Sequence, residues 1–119
     1  MSAIARETPG SSYQHLVNEI RRVSRMSAAE LADLTGVRER QVHNWAAGVS
    51  RPQDDSRDRL VDVHYIVKTL SEIYVPEGVE IWLHGRNRGL GGRRPIELLL
   101  HGDFEPVVRE VESLNSGAM

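Results

Sequence analysis

The apolar residues of this chain recur at helical spacing. Tyr13, Leu16, Val17, Ile20 and Val23 step by three and four, which predicts a first helix over about 12–24 with Ser11 or Ser12 as its cap. Ser27-Ala28-Ala29-Glu30 reads as a capping box, the serine hydroxyl accepting from the glutamate N–H and the glutamate returning the bond. A second helix follows with Leu31 and Leu34 inward, broken at Thr35-Gly36-Val37, where glycine supplies a positive φ. A third starts near Arg38, carries Val42 and Trp45 on one face, and ends at Gly48 with Pro52 beyond.

A longer stripe runs over 56–73 through Leu60, Val63, Ile66, Val67, Leu70 and Ile73. Asp54, Asp55 and Asp58 sit at its N-terminal end, where the helix dipole favours acids. Pro76 opens a short helix ending near Leu83, and residues 84–94 form a loop rich in glycine and arginine. Pro95 starts another short helix over 96–100, stopped by Gly102, and a last helix spans about 104–114 with Val107, Val108, Val111 and Leu114 apolar. Alternating strand patterns and Asn-Gly hairpin turns are missing, so the expected fold is all-α.

Composition narrows the class. At 119 residues and 39% hydrophobic content the chain can bury a thin core, roughly two-thirds of its unfolded surface. Without cysteine there is no disulfide, zinc ribbon or thiol chemistry. No apolar run reaches membrane-spanning length, and the first ten residues lack a signal-peptide core, so they read as a flexible arm and the chain as cytoplasmic. The net charge of −2 divides unevenly. Residues 12–53 hold six Arg against four acids, +2, while residues 54–119 hold eight basic against twelve acidic, −4. A mildly basic front and an acidic back suit a DNA-facing half and a half that avoids DNA.

The segment 27–48 has the parts of a helix-turn-helix: a capped helix, a glycine turn with Val37 as apolar plug, and a second helix held by Trp45. Such a second helix can enter a major groove by its N-terminal residues. Arg40 would then fork onto guanine, Gln41 and Asn44 would bond adenine, His43 would share that face, and Arg38 and Arg51 would hold phosphates. The competing account of the same residues is a solvated polar face. Glu39 favours that account, because an acid at the front of a reading helix repels phosphate, and Arg38 stands where Ser or Asp usually caps.

Residues 27–52 resemble the Xre/Cro-type helix-turn-helix, whose second helix reads DNA from a symmetric dimer. Further on, Ile81-Trp82-Leu83, Asn87-Arg88, Leu90-Gly91-Gly92, Pro95, Glu97-Leu98-Leu99, Gly102 and Val107 resemble the toxin-binding domain of Xre/MbcA/ParS-type antitoxins, with Arg86 where that family usually has proline. The two matches follow the family's order over nearly the whole chain, with a DNA-binding domain at 11–53 and a toxin-binding or dimerisation domain at 54–119.

The resemblance implies a protein partner: a RES-domain toxin that degrades NAD, blocked when the antitoxin's end enters its active-site cleft. It also implies repression of the antitoxin's own operon, a homodimer, and a hetero-oligomer with the toxin. Mapped here, the toxin-binding residues are Trp82, Asn87, Arg88, Leu90, Arg109, Glu112, Leu114, Asn115, Ser116 and Gly117, with Ala118 beyond. Helices of five to eight residues are marginal alone, so part of the apolar surface of 95–114 is expected to be covered by a partner or a second copy.

Enzyme signatures are lacking. The histidines His15, His43, His64, His84 and His101 form no metal-binding pair, and no Gly-x-Ser-x-Gly elbow occurs. Leu90-Gly91-Gly92-Arg93-Arg94 lacks the Lys-Ser/Thr and strand context of a phosphate loop and reads as a turn before Pro95. The Asp54, Asp55, Asp58 cluster is explained by its helix N-terminus. The expectation is a non-enzymatic binding protein without cofactor or metal; the alternative is a solitary dimeric helix-turn-helix regulator.

Overall fold

A computed structural model of the chain describes residues 11–116. Among them are seven α-helices: α1 (Ser11–Ser24), α2 (Ala28–Thr35), α3 (Glu39–Ala46), α4 (Asp54–Ser71), α5 (Pro76–His84), α6 (Pro95–Leu100) and α7 (Glu105–Asn115). A 3-10 turn, Arg88–Leu90, lies between α5 and α6. Strands are absent among the described residues, so the expected all-α class is found. The arm at 1–10, Gly117 and Ala118 lie outside the described residues.

Local chemistry sets the helix ends. α1 stops where Arg25 swings to φ +61°, its N–H still bonded to Arg21 O at 2.9 Å. Ser27 then caps α2, its Oγ accepting from Glu30 N at 3.0 Å. The return half of the expected capping box is not made, because Glu30 Oε2 is engaged by His84 Nε2 at 2.8 Å instead. Gly36 at φ +78° turns the chain, and the N–H groups of Gly36 and Val37 both return to Ala32 O. α3 begins without a side-chain oxygen at its cap; Gln41 Oε1 fills in, accepting from Arg38 N at 3.3 Å.

α4 is the axis of the molecule, touched by α1, α2, α5 and α7. Its stripe Leu60, Val63, Ile66, Val67 and Leu70 is fully enclosed. Ile73 departs from the expected stripe: α4 ends at Ser71, the N–H groups of Ile73 and Tyr74 fold back onto Leu70 O, and Ile73 is left exposed in the turn before Pro76. One buried cluster collects residues from all seven helices and is continuous across the junction at 53/54. Its polar members are satisfied: Ser24 Oγ donates to Ile20 O at 2.6 Å and Thr35 Oγ1 to Leu31 O at 2.8 Å.

The uncovered apolar surface expected over 95–114 is not found. Ile96, Leu98, Leu99, Phe104, Val107 and Val111 are all buried within the chain, leaving Leu100 and Leu114 as the exposed large apolar residues of that stretch. The reason is the length of α4. Its 18 residues support α1, α2 and α5 and still offer a face to α7, so the short C-terminal helices are held by their own chain. No described helix is long and apolar enough to cross a membrane.

Candidate functional site

Two surfaces carry the residues singled out from the sequence. On α3 and its flanks, Arg38, Arg40, Gln41, His43 and Arg51 are exposed and Asn44 is half-buried, while Val42 and Trp45 face the core. Two of these side chains already have local work. Gln41 caps its own helix, and His43 Nε2 lies 3.2 Å from Glu39 Oε2 one turn earlier. Among the described residues Arg38, Arg40 and Arg51 form no ion pair, so their guanidinium groups are open to an anion. Asn18 Nδ2 donates to Ala46 O at 3.3 Å and fixes the far end of α3 to α1. Arg51 stands off the helix, in a cleft of about 270 Å³ with Tyr13, Gln53, Asp54 and Arg57.

The second surface is the loop between α5 and α6 together with the end of α7. The loop is a closed ring. Asn87 N donates to Arg93 O at 3.0 Å, Gly92 N returns to Asn87 O at 2.8 Å, and Gly91 and Gly92 hold the turn at φ +69° and +82°. Two arginines brace it from their side chains: Arg86 Nη1 donates to Gly92 O at 3.1 Å and Arg93 Nε to Leu90 O at 2.9 Å. The glycine pair is thus a turn ahead of Pro95, the first residue of α6.

Asn87 is half-buried and Arg88 exposed. Trp82 is half-buried and packs against the core. Leu90 is 4% exposed and offers a partner no surface; it anchors the loop. α7 packs against the 3-10 turn, with the Glu110 carboxylate lying against Gly89 where any side chain would stand.

Along α7, Arg109, Glu112, Leu114 and Ser116 are exposed. Arg109 pairs weakly with Glu105 at 4.0 Å, and Ser116 Oγ donates to Ser113 O at 3.1 Å at the helix end. Glu112 Oε2 accepts from Tyr65 Oη at 2.8 Å, a link between α7 and α4 that raises the phenol pKa. Asn115 is the last residue of α7, and Gly117 lies outside the described residues.

Several polar contacts had no local signature, because they join residues distant in sequence. Glu19 accepts from His64 Nε2 at 2.7 Å between α1 and α4; that hydrogen bond holds its carboxyl below the usual range against the opposing effect of burial. Two pairs tie α5 to the front of the chain: Arg25–Glu80 at 3.4 Å and His84–Glu30 at 2.8 Å. Burial pulls the His84 pKa down, but the bonds to Glu30 and to Glu80 O outweigh it and the net shift is upward. Asp62 is pushed up by burial and by Asp58. Among the described residues no group of three His, Asp or Glu side chains is placed to hold a metal ion.

No protein-family model matches the chain. Curated relatives do. The chain is 37% identical over 93 residues to the probable mycobacterial cidal antitoxin Rv3188 of Mycobacterium tuberculosis, covering 78% of this chain and 79% of that protein. The chain belongs to the family of mycobacterial cidal antitoxins. The antitoxin MbcA of Mycobacterium bovis is 27% identical over 88 residues, covering 74% of this antitoxin and 78% of MbcA.

The fold agrees. A chain in the crystal structure of the M. tuberculosis MbcT–MbcA toxin–antitoxin complex superposes with a TM-score of 0.75 at 24% identity, covering 89% of this chain and 96% of that one. The resemblance read from Trp82, Asn87, Leu90-Gly91-Gly92 and Pro95 therefore identified the right family.

Proposed function

We propose that this antitoxin binds and neutralises a RES-domain, NAD-degrading toxin by occluding its active site, and represses its own operon through α3. The kinship with Rv3188 over four-fifths of that protein's length carries the reading, supported by the toxin–antitoxin complex in which the same fold occurs. Trp82, Asn87, Arg88, Arg109, Glu112 and Leu114–Gly117 form the toxin-facing set. The end of α7 supports the occlusion step: among the described side chains Val111 is the last buried one, and Ser113, Leu114 and Ser116 beyond it are exposed and can meet a cleft without disturbing the core.

On α3, the open guanidinium groups of Arg38 and Arg40 suit phosphate and guanine, with Gln41, His43 and Asn44 beside them and Arg51 as a further phosphate contact. A two-fold dimer would present two such helices, and the working species is a cytoplasmic hetero-oligomer with toxin.

The test is co-expression with the product of the neighbouring reading frame. Expected are rescue of growth and a complex on gel filtration; persistent toxicity with no complex overturns the reading. Deleting 114–119 should abolish neutralisation, and undiminished neutralisation would remove the plugging mechanism. A second reading, a solitary dimeric helix-turn-helix regulator, draws support from the closed packing of α7: Val107 and Val111 need no partner to be buried. It predicts operator binding without any companion protein.

A further inference from the structure

The ring at 86–94 carries more positive charge than the bracing of its turn by Arg86 and Arg93 requires. Four arginines, Arg86, Arg88, Arg93 and Arg94, fall within nine residues, and no acid occurs from Ile81 to Ile96. The whole chain carries −2, so everything outside these four positions sums to −6. The arginines also differ in how they are held. Arg94 is neutralised in part by Glu97 at 3.4 Å. Arg86 and Arg93 each bond a carbonyl of the ring itself, which fixes their guanidinium groups while leaving the charge uncompensated. Arg88 is exposed and forms no ion pair among the described residues. The acids placed against the ring are Glu97, paired with Arg94, and Glu110, lying against Gly89.

We infer that this ring is an electrostatic docking point for a discrete acidic patch on the toxin's surface, and that it orients the toxin before the end of α7 engages. The inference rests on the toxin-binding reading above. Without the four ring arginines, residues 54–119 carry −8, so on the back half an acidic partner is repelled by the surroundings and attracted at the ring, which sets this site apart from the basic α3 face and selects an approach direction. The ring's own hydrogen bonds hold its backbone and the Arg86 and Arg93 guanidinium groups in place, so little loop entropy is lost on contact. A nucleic acid fits less well. A polyanion longer than the ring would run onto Glu97 and Glu110, whereas an acidic patch of protein matches the ring in extent.

The decisive measurement is the association rate of the full-length antitoxin with the product of the neighbouring reading frame over a series of salt concentrations. The rate should fall steeply with salt. Arg88→Glu should lower it about tenfold at low salt, with a much smaller change in the dissociation rate. Arg57→Glu, the same charge change on α4, should stay within about twofold of the parent. If the parent forms no complex, the toxin-binding reading itself is overturned. If a complex forms at a rate indifferent to salt and to Arg88→Glu, the docking inference alone is overturned. It is equally overturned if Arg88→Glu weakens only DNA retention, or only self-association of the antitoxin on gel filtration.

Discussion

Each half of this antitoxin has one tryptophan, and the two are used differently. Trp45 on α3 is sealed at 2% exposure, in the buried cluster that α3 shares with α1 and α2, the helices it packs against. Trp82 on α5 packs against that cluster but keeps part of its ring at the surface, next in sequence to exposed Ile81. The front half spends its aromatic on rigidity and presents polar side chains from a fixed helix. The back half leaves aromatic surface on the helix that leads into a basic ring. A fixed polar helix suits recognition of a regular groove, and a partly open aromatic six residues before an exposed arginine, Arg88, has the composition of a protein-interface anchor.

Substituting the two tryptophans breaks the comparison most directly. Trp45→Ala should cost about 3–5 kcal/mol in urea denaturation, the usual range for emptying a sealed aromatic site. Trp82→Ala should cost only about 1–2 kcal/mol, because part of its area is already in water. Its larger effect should be on toxin affinity. Equal stability losses with unchanged toxin affinity would make both residues core and remove Trp82 from the interface.

The α3 face can be sharpened by separating helix capping from base contact. Arg40→Ala should weaken operator binding by about 1–3 kcal/mol in a mobility-shift titration and leave the folding free energy within about 0.5 kcal/mol. Gln41→Ala should weaken both, losing the bond to Arg38 N along with any base contact, with about 0.5–1 kcal/mol of the loss in stability. Gln41→Glu keeps an oxygen for the cap and adds a charge that phosphate repels. If Gln41→Glu retains both stability and operator affinity, Gln41 is a cap alone and the base-reading set shrinks to Arg40 and Asn44.

The helices were legible because each has the period of its buried face and a strong stop. Gly36, Gly48 and Gly102 sit at positive φ where the sequence placed the breaks, and Pro76 and Pro95 open helices. The pattern over Ile81–Val107 was legible as family for a similar reason, since turn glycines, Pro95 and the buried leucines are fixed by local geometry. What escaped was long-range. Periodicity cannot say whether an apolar face is covered by its own chain or by another, so the expectation that a partner covers part of 95–114 could not foresee that Val107 and Val111 are buried within the chain. Glu30 looked like half of a capping box from its three-residue spacing, but a histidine 54 positions away competes for it and wins. Leu90 was assigned to the interface by motif, while its burial depends on how α7 crosses the 3-10 turn.

The joint between the halves titrates. His84 has its Nδ1 2.8 Å from Glu80 O and its Nε2 2.8 Å from Glu30 Oε2. Both partners are acceptors, so both bonds exist together only when the ring is doubly protonated. Its pKa is raised from 6.5, so its contribution is full below about pH 6.5 and is lost as pH rises through the higher folded value. Glu19 behaves oppositely. Its pKa is lowered from 4.5, so its contribution is present above that value and is lost as pH falls through the folded one. The two act together between about pH 4.5 and 6.5. Because the His84 pair is partly exposed, its share should stay below about 1 kcal/mol. His84→Gln should flatten the alkaline limb of the stability–pH curve and leave the acid limb unchanged. An unchanged alkaline limb would assign that limb to other groups.

The smallest expected effect asks whether apolar packing or the ion pairs join the two halves. Arg25 occupies φ +61°, a left-handed conformation that disfavours any side chain with a Cβ, yet it also reaches Glu80 across the junction. Arg25→Gly removes both the strain and the pair. The strain is worth roughly 1–2 kcal/mol, offset by the extra freedom of glycine in the unfolded chain. The pair has both partners about half exposed and is worth at most about 1 kcal/mol. If apolar burial joins the halves, the variant should be more stable by about 0.5 kcal/mol in denaturant titration, with an unchanged urea slope. A loss of stability accompanied by a change in that slope would mean that the halves separate when the link is cut, and that Arg25 keeps its strained backbone because it holds α5 against the start of α2.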